Sequence, residues 1–308
     1  MLKLLSITIW LLTCAPGGEL YSRYGHTAIR VQDTERDLDV CFNYGTFSFD
    51  TEHFYWKFVK GETYYMLSAS PTEWFEYEYR MEQRAVFAQE LNLTQEEARR
   101  LEEALVLNCQ PEHAEYLYNF VFDNCSTRPF KMLQKVLDDP LESSYEGWTG
   151  HTYRQMIRHY THPHSVINGL INLIFGKRSD IKMQQTDAIF LPEQLMFYVE
   201  HAHKKDGSPL VKTSNIAPFH IVKARWWETI YPYLLLFAAL MTLLSLRDRK
   251  RQRLTKGIDI ALGGVYAVLI VLVVFLRFFS IHPMVGFDIR LMIIPMIHLC
   301  TRLIYICR

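Results

Sequence analysis

After Lys223 the chain changes character, and that change limits what it can fold into. Ile230 to Leu246 is almost wholly apolar, and Ile258 to Phe279 is a second apolar run, broken only near its ends by Asp259 and Arg277. Each is long enough to cross a bilayer, which takes roughly 17–25 helical residues. Trp226, Trp227, Tyr231 and Tyr233 cluster around the start of the first run as an interfacial aromatic belt, and Pro232 falls where a first helical turn tolerates it. A third run, Leu291 to Cys307, carries His298 and Arg302 and reads as a span, against the alternative of a re-entrant or interfacial segment. The loop from Arg247 to Lys256 is strongly basic, and such clusters stay on the cytoplasmic side. The first span therefore runs from outside to inside, the loop from Ser280 to Asp288 returns to the outer side, and everything before Ile230 lies outside the cytoplasm. The expected division is a domain over 1–222 and a transmembrane region over 223–308, with spans at about 230–246, 258–279 and 291–307.

Lysine plus arginine and aspartate plus glutamate are equal at 33 each, so nothing in the charge balance points to nucleic acid. The extracytoplasmic placement requires an export signal. Leu11-Leu12-Thr13-Cys14 has a faint likeness to a lipobox, but Ser6 and Thr8 alternate with apolar residues as in a strand, and Thr13 is a poor residue before a lipidated cysteine. A first strand is the preferred reading, with the signal lost upstream of an assigned start.

The soluble part reads as α+β. Leu4 to Lys60 is expected to form strands and turns, with Pro16-Gly17-Gly18 as one turn. Val40 to Phe49 pairs as a hairpin with Thr27 to Val31 across the charged segment Asp33 to Asp39. A helix follows from about Ser70 to Met81, then a strand from Val86 to Leu91. Thr94 and Glu97 make a capping box for a helix ending near Asn108. Further helical stretches are Tyr153 to His159, His164 to Phe175 and Pro192 to His203. The apolar stretch Val166 to Phe175 suits either a core helix or a segment dipping into a bilayer interface.

Two short motifs carry chemistry. The first reads Arg23-Tyr24-Gly25-His26-Thr27-Ala28-Ile29-Arg30-Val31, in which alternation after Gly25 marks a strand that would hold His26 rigidly. The second reads Phe122-Asp123-Asn124-Cys125-Ser126-Thr127-Arg128-Pro129-Phe130, and Thr127 to Leu137 reads as a helix with Pro129 in its first turn. A cysteine at a helix N-terminus faces unpaired N–H groups and the positive dipole end, which favours the thiolate, and those N–H groups could receive an oxyanion. Thiol and imidazole together suffice for acyl transfer through a thioester. Against this stand a satisfied core histidine, and a Cys125 disulfide in an oxidising compartment, where Cys14, Cys41 and Cys109 would allow two bridges. Cys14 itself reads as a buried structural thiol, with a second functional thiol or a disulfide as alternatives.

The order of His26 before Cys125 resembles the circularly permuted papain-like group, which includes lecithin–retinol acyltransferase and some NlpC/P60-type proteins. More narrowly, Leu11 to Gly17, Arg23 to Val31, Asn43-Tyr44-Gly45-Thr46-Phe47-Ser48-Phe49-Asp50 and Asp123 to Pro129 together resemble the Lnb family of Bacteroidota. The likeness runs from Cys14 to roughly Val211, with membrane helices after it. It implies a permuted papain-like periplasmic domain on a multi-pass inner-membrane protein. The implied activity is lipoprotein N-acylation: an acyl chain passes from a phospholipid, through a Cys125 thioester, to the α-amine of a diacylated lipoprotein's N-terminal cysteine, without a cofactor. The runner-up is a periplasmic cysteine amidase or peptidase using the same two residues, and a third class is a non-catalytic, disulfide-stabilised membrane protein.

By analogy with papain-like enzymes an amide should orient the imidazole. Asn43 is the candidate, with a bulge-filling role before Gly45 as its alternative; Tyr44 points to the opposite face of a regular strand. Arg23, Arg30 and Arg128 are candidates for a lipid phosphate, since guanidinium binds phosphate bidentately, and Tyr44 joins them as a substrate contact. Lys131 belongs to the same set, and Arg128, three residues after Cys125, is the best placed of the four. His151, His159, His162 and His164 lack partners at zinc-site spacing, so no metal is assigned.

Overall fold

The structure, a computed structural model, describes residues 6–19, 21–48, 50–161, 168–169, 171, 174–221, 225–252 and 255–286. Chain contacts divide it into two compact units: Met1–His151 with Lys182–His220, and Thr152–Ile181 with Ile221–Arg308.

The first unit is built on a twisted antiparallel sheet. In chain order its elements begin with β1 (Ile7–Cys14), β2 (His26–Asp33), β3 (Leu38–Thr46), α1 (Phe54–Lys60), β4 (Tyr64–Pro71), α2 (Thr72–Met81) and β5 (Val86–Leu91). They continue with α3 (Gln95–Asn108), α4 (Pro111–Ala114), β6 (Glu115–Leu117), α5 (Thr127–Leu137) and β7 (Glu142–Ser143). Seven strands pair in the order β6-β4-β3-β2-β1-β5-β9, where β9 is Val211–Ser214. The register pairs Cys14 with His26 between β1 and β2, and Arg30 with Cys41 between β2 and β3.

Period-two alternation sorts the side chains. Ile7, Ile9 and Leu11 of β1, Ile29 and Val31 of β2, and Phe42 and Tyr44 of β3 face a core shared with Leu101 and Leu105 of α3 and Phe130 and Leu133 of α5. Leu12, Cys14, Ala28 and Cys41 face the other way, under Phe75 and Tyr79 of α2. Each fully buried aliphatic or aromatic side chain contributes roughly 1.5–3 kcal/mol, so the two-sided burial ties the central strands to helices on both faces. The capping box of α3 forms as expected: Thr94 Oγ1 accepts from Glu97 N–H at 3.2 Å and Glu97 Oε2 accepts from Thr94 N–H at 2.8 Å. The helix predicted over Thr127–Leu137 is α5, and the strand predicted over Val86–Leu91 is β5.

Phe54–Lys60 departs from the expected strands and turns. Its aromatics favour strands, but the segment links β3 to β4 and coils as α1, burying Phe54 against Phe47 at 5.6 Å between ring centroids. Strand β4, which pairs with β3, has no counterpart in the sequence reading. The helix expected over Pro192–His203 stops earlier: Pro192–Glu200 is helical (α7, following α6 below), and Ala202–His203 forms β8, paired with β7.

In the second unit, α6 (Tyr153–Thr161) carries the buried Arg154, whose Nε donates to Asp180 Oδ1 at 2.6 Å and whose Nη2 donates to the Phe175 carbonyl at 3.0 Å. Residues 230–251 and 256–279 form helices α8 (Ile230–Arg251) and α9 (Lys256–Phe279). Asp248 closes the turn between them by accepting from Thr255 N–H at 2.8 Å and Thr255 Oγ1–H at 2.6 Å. Helix α9 has a mean hydropathy of 2.6 over its most apolar stretch and is long enough to cross a membrane. The span expected at 291–307 lies outside the described residues, as do His162, His164 and much of Val166–Phe175.

Candidate active site

The site is assembled where β2 begins, β3 bulges and α5 starts. Gly25 precedes β2 with φ +84°, and a Cβ there would lie 2.6 Å from the Cys14 carbonyl oxygen and 2.9 Å from the Phe219 ring. Only glycine fits this turn, which delivers His26 to the sheet opposite Cys14. On β3 the register shifts between Tyr44 and Thr46, and Gly45 occupies the bulge at φ +96°. A Cβ at Gly45 would lie 3.5 Å from Cys125 Cβ, so the bulge is where the Cys125 segment approaches the sheet.

Asn124 shapes the start of α5. Its Oδ1 accepts from the N–H groups of Ser126 and Thr127, both at 2.9 Å. Its Nδ2 donates to the carbonyls of Phe120 at 2.8 Å and Phe190 at 2.7 Å. An asparagine just ahead of a helical run is a capping signal, and it could have been read from the sequence. The cap changes an expectation. The Ser126 and Thr127 N–H groups are already occupied, so the oxyanion donors expected from the helix terminus are not those two. Cys125 N–H makes no hydrogen bond among the described residues. Ser126 Oγ meets Thr27 Oγ1 at 3.0 Å, pinning the helix start to the residue after His26.

His26 and Cys125, 99 residues apart in the chain, are brought close enough for each to shift the other's ionisation. His26 Nε2 lies 2.9 Å from Asn43 Oδ1, so an Nε2–H tautomer donates to the amide and leaves Nδ1 for the thiol. The strand period explains the amide's reach: Asn43 lies two residues beyond Cys41, on the face that Arg30, Ala28 and His26 share. Burial works against ionising Cys125. The neighbouring His26 imidazole, the Thr27 backbone and the Ser126 hydroxyl outweigh it and hold the thiol below its ordinary range. Burial likewise works against a charged His26, but Cys125 and Asn43 lift its imidazole above the ordinary range. The pair thus favours thiolate and imidazolium together.

The other thiols differ. Cys14, Cys41, Cys109 and Cys125 are all unbridged. Burial drives Cys14 far above the usual thiol range despite the opposing influence of Tyr79, and it pushes Cys41 up to about 11 and Cys109 upward. Cys14 is fully enclosed beneath α2, the surroundings of a structural thiol.

The remaining nominated residues separate by their partners. Arg128 is forked onto Asp123 at 2.9 and 2.8 Å and lies 3.5 Å above the Tyr116 ring. Arg30 is forked onto Asp39 and stacks on Trp10 at 4.8 Å. Tyr44 is buried at 1% exposure with its hydroxyl donating to Asn108 Oδ1 at 2.6 Å, which places it in the core. Lys131 Nζ donates to the Phe122 carbonyl at 2.8 Å. Arg23 stands apart: Nη2 donates to the Gly18 carbonyl at 2.6 Å, while Nε and Nη1 are buried without a hydrogen-bond partner among the described residues. The sequence reading did not single out the aromatic residues Tyr65, Tyr116 and Tyr118 near Cys125, because nothing local in their segments signals the thiol.

Replacing Asn43 with alanine removes one of the interactions that raise His26. With a weaker imidazolium beside it, the Cys125 thiol rises, so alkylation by iodoacetamide, followed against pH, is expected to move to higher pH and to slow at pH 7. A profile superimposable on that of the unaltered protein would show that Asn43 does not position the imidazole.

These features define a mixed α/β domain that gathers a thiol, an imidazole and an amide, in a chain that also carries an apolar helix of membrane-spanning length. The family model described as the Lnb N-terminal periplasmic domain matches residues 1–162, and the Lnb transmembrane domain matches residues 226–308. The chain belongs to the Lnb family, and is a membrane protein with a periplasmic region. Membership points to an enzyme. No curated protein and no solved structure matches it.

Proposed function

We infer that this chain is a lipoprotein N-acyltransferase of the inner membrane, multi-pass, with the domain before Ile230 in the periplasm. The observation that carries the reading is the buried Cys125–His26–Asn43 arrangement, in which one thiol alone among the four described is held toward the thiolate. The histidine-first order and the strand and helix that present the two residues support a permuted papain-like arrangement.

In the first half-reaction the Cys125 thiolate attacks a phospholipid ester carbonyl, with Cys125 N–H as donor to the oxyanion. Collapse breaks the ester C–O bond, and the departing lysophospholipid oxygen takes the His26 proton. In the second, the α-amine of the lipidated cysteine attacks the thioester. His26 accepts the amine proton as the C–S bond breaks, leaving an amide, a thiolate and an imidazolium. An α-amine with an ordinary pKa of about 7.7–8.0 is partly neutral near neutrality, so His26 manages only the proton lost in attack.

Arg23 takes the donor phosphate in this scheme. Arg30 and Arg128 are committed to Asp39 and Asp123, whereas Arg23 has buried N–H groups with nothing to bond among the described residues. Such groups are costly unless a ligand satisfies them. The test is mass spectrometry of lipoprotein N-termini from cells with and without the protein. N-acylated cysteine is expected only with it, and an unchanged acylation state without it would end the reading. Arg23→Gln should raise KM for phospholipid by about 10–100-fold, the worth of a charge-assisted hydrogen bond, and spare KM for diacylglycerol.

A further inference from the structure

A row of aromatic rings connects Cys125 to the surface. A Cβ at Gly45 would lie 3.5 Å from Cys125 Cβ and 3.8 Å from the Tyr118 ring. Tyr118 stacks on Tyr65 at 4.1 Å, Tyr65 on Phe47 at 4.9 Å, and Phe47 on Phe54, the first residue of α1. Helix α1 buries only Phe54 and leaves Tyr55, Trp56 and Phe58 exposed at 76, 56 and 44%. Tyr21, 60% exposed, meets Phe47 edge-on at 6.0 Å. The seven residues of α1 include no acid, and their only charges are Lys57 and Lys60.

Single exposed apolar residues are ordinary, but three aromatics, Tyr21, Tyr55 and Phe58, that meet one largely buried stack, with Trp56 exposed beside them, are not. Tyrosine and tryptophan sit at the headgroup level of a bilayer, where the ring is apolar and its polar atom stays wet, and lysines beside them are drawn to anionic lipid. Lys60 pairs with Glu62 at 2.6 Å and the exposed Glu52 precedes the helix, so it is the aromatic rings rather than net charge that select a bilayer over a protein partner. The chain also carries a helix able to cross a membrane, so this domain works beside one. We propose that α1, with Tyr21, docks into the headgroup–acyl boundary of the bilayer, and that the stacked rings from Phe54 to Tyr118 give the donor acyl chain an apolar path to Cys125. The path rests on the acyl-transfer reading; the docking surface does not.

The test uses the full-length protein in nanodiscs of phosphatidylethanolamine and phosphatidylglycerol whose chains are dibrominated near the headgroup. Bromine quenches tryptophan on contact, and the chain has six tryptophans. Trp56→Phe should reduce the quenched fraction, and Trp148→Phe should not; equal quenching with and without Trp56 overturns the docking surface. In a second arm, Tyr55, Trp56 and Phe58 are replaced together by serine. Acyl loading of Cys125 from bilayer phospholipid should fall about tenfold or more, since the three rings no longer hold the site against lipid. Iodoacetamide alkylation of Cys125, which reports an intact site, is measured alongside. Normal alkylation with undiminished loading overturns the acyl path. If alkylation also falls, the less disruptive Trp56→Phe protein is assayed for loading in its place, and an unaltered rate again overturns the path. Absence of loading in the unaltered protein would sink the acyltransfer reading and the path, leaving the quenching result to decide the docking surface.

Discussion

Incubated with phospholipid and no acceptor amine, the full-length protein is expected to gain one fatty-acyl increment on Cys125, because the second half-reaction is starved. Neutral hydroxylamine should remove it, since it cleaves thioesters and leaves amides intact. Cys125→Ser and His26→Ala should each depress N-acylation by at least about 10³-fold, the order lost when one member of a nucleophile–base pair is removed. Both proteins should remain folded and membrane-inserted. The serine variant would hold any acyl group as an oxygen ester, formed slowly because a hydroxyl is a weak nucleophile at its free pKa. Intact-mass and peptide analysis decides the matter. An increment on Cys14 would move the nucleophile, although burial holds that thiol far above its usual range. A cysteine peptidase using the same residues would show no adduct from phospholipid at all.

Gly25→Ala is expected to be the most damaging single methyl in the domain. At φ +84° the new Cβ would meet a carbonyl oxygen at 2.6 Å and a ring carbon at 2.9 Å, and neither the Cys14 backbone nor the packed Phe219 can yield cheaply. Left-handed strain and overpacking together cost about 3 kcal/mol, which lowers Tm by roughly 6–12 °C for a domain of this size. Because Gly25 precedes His26, alkylation of Cys125 should slow as well. Gly18→Ala is the control, since a Cβ there meets nothing within 4 Å. Its stability should stay within about 0.5 kcal/mol of the unaltered protein. Equal melting temperatures for the two variants would show that the turn before β2 is not under the constraint described.

What could be read without coordinates was local. Helix α5 announced itself through Pro129 in its first turn, α3 through Thr94 and Glu97, and β2 through its alternation after Gly25. Parity along β3 separated Asn43 from Tyr44, and the two side chains do lie on opposite faces. Segment α1 misled because aromatic residues favour strands, and only its position between β3 and β4 made it a helix.

The amino-acid pattern by itself determined the elements that carry His26, Asn43 and Cys125, and the apolar helix after them, because caps, strand parity and hydrophobic runs are written within a few neighbouring residues. The tertiary structure decided which groups are available. It placed Cys125 beside His26 across the Gly45 bulge, spent the helix-terminal N–H groups on Asn124, and tied Arg30 and Arg128 to carboxylates while leaving two Arg23 nitrogens without a hydrogen bond among the described residues. The reason is physical: whether a charge or a donor is free depends on partners tens of residues away, and pairing over that distance is set by packing rather than by local sequence.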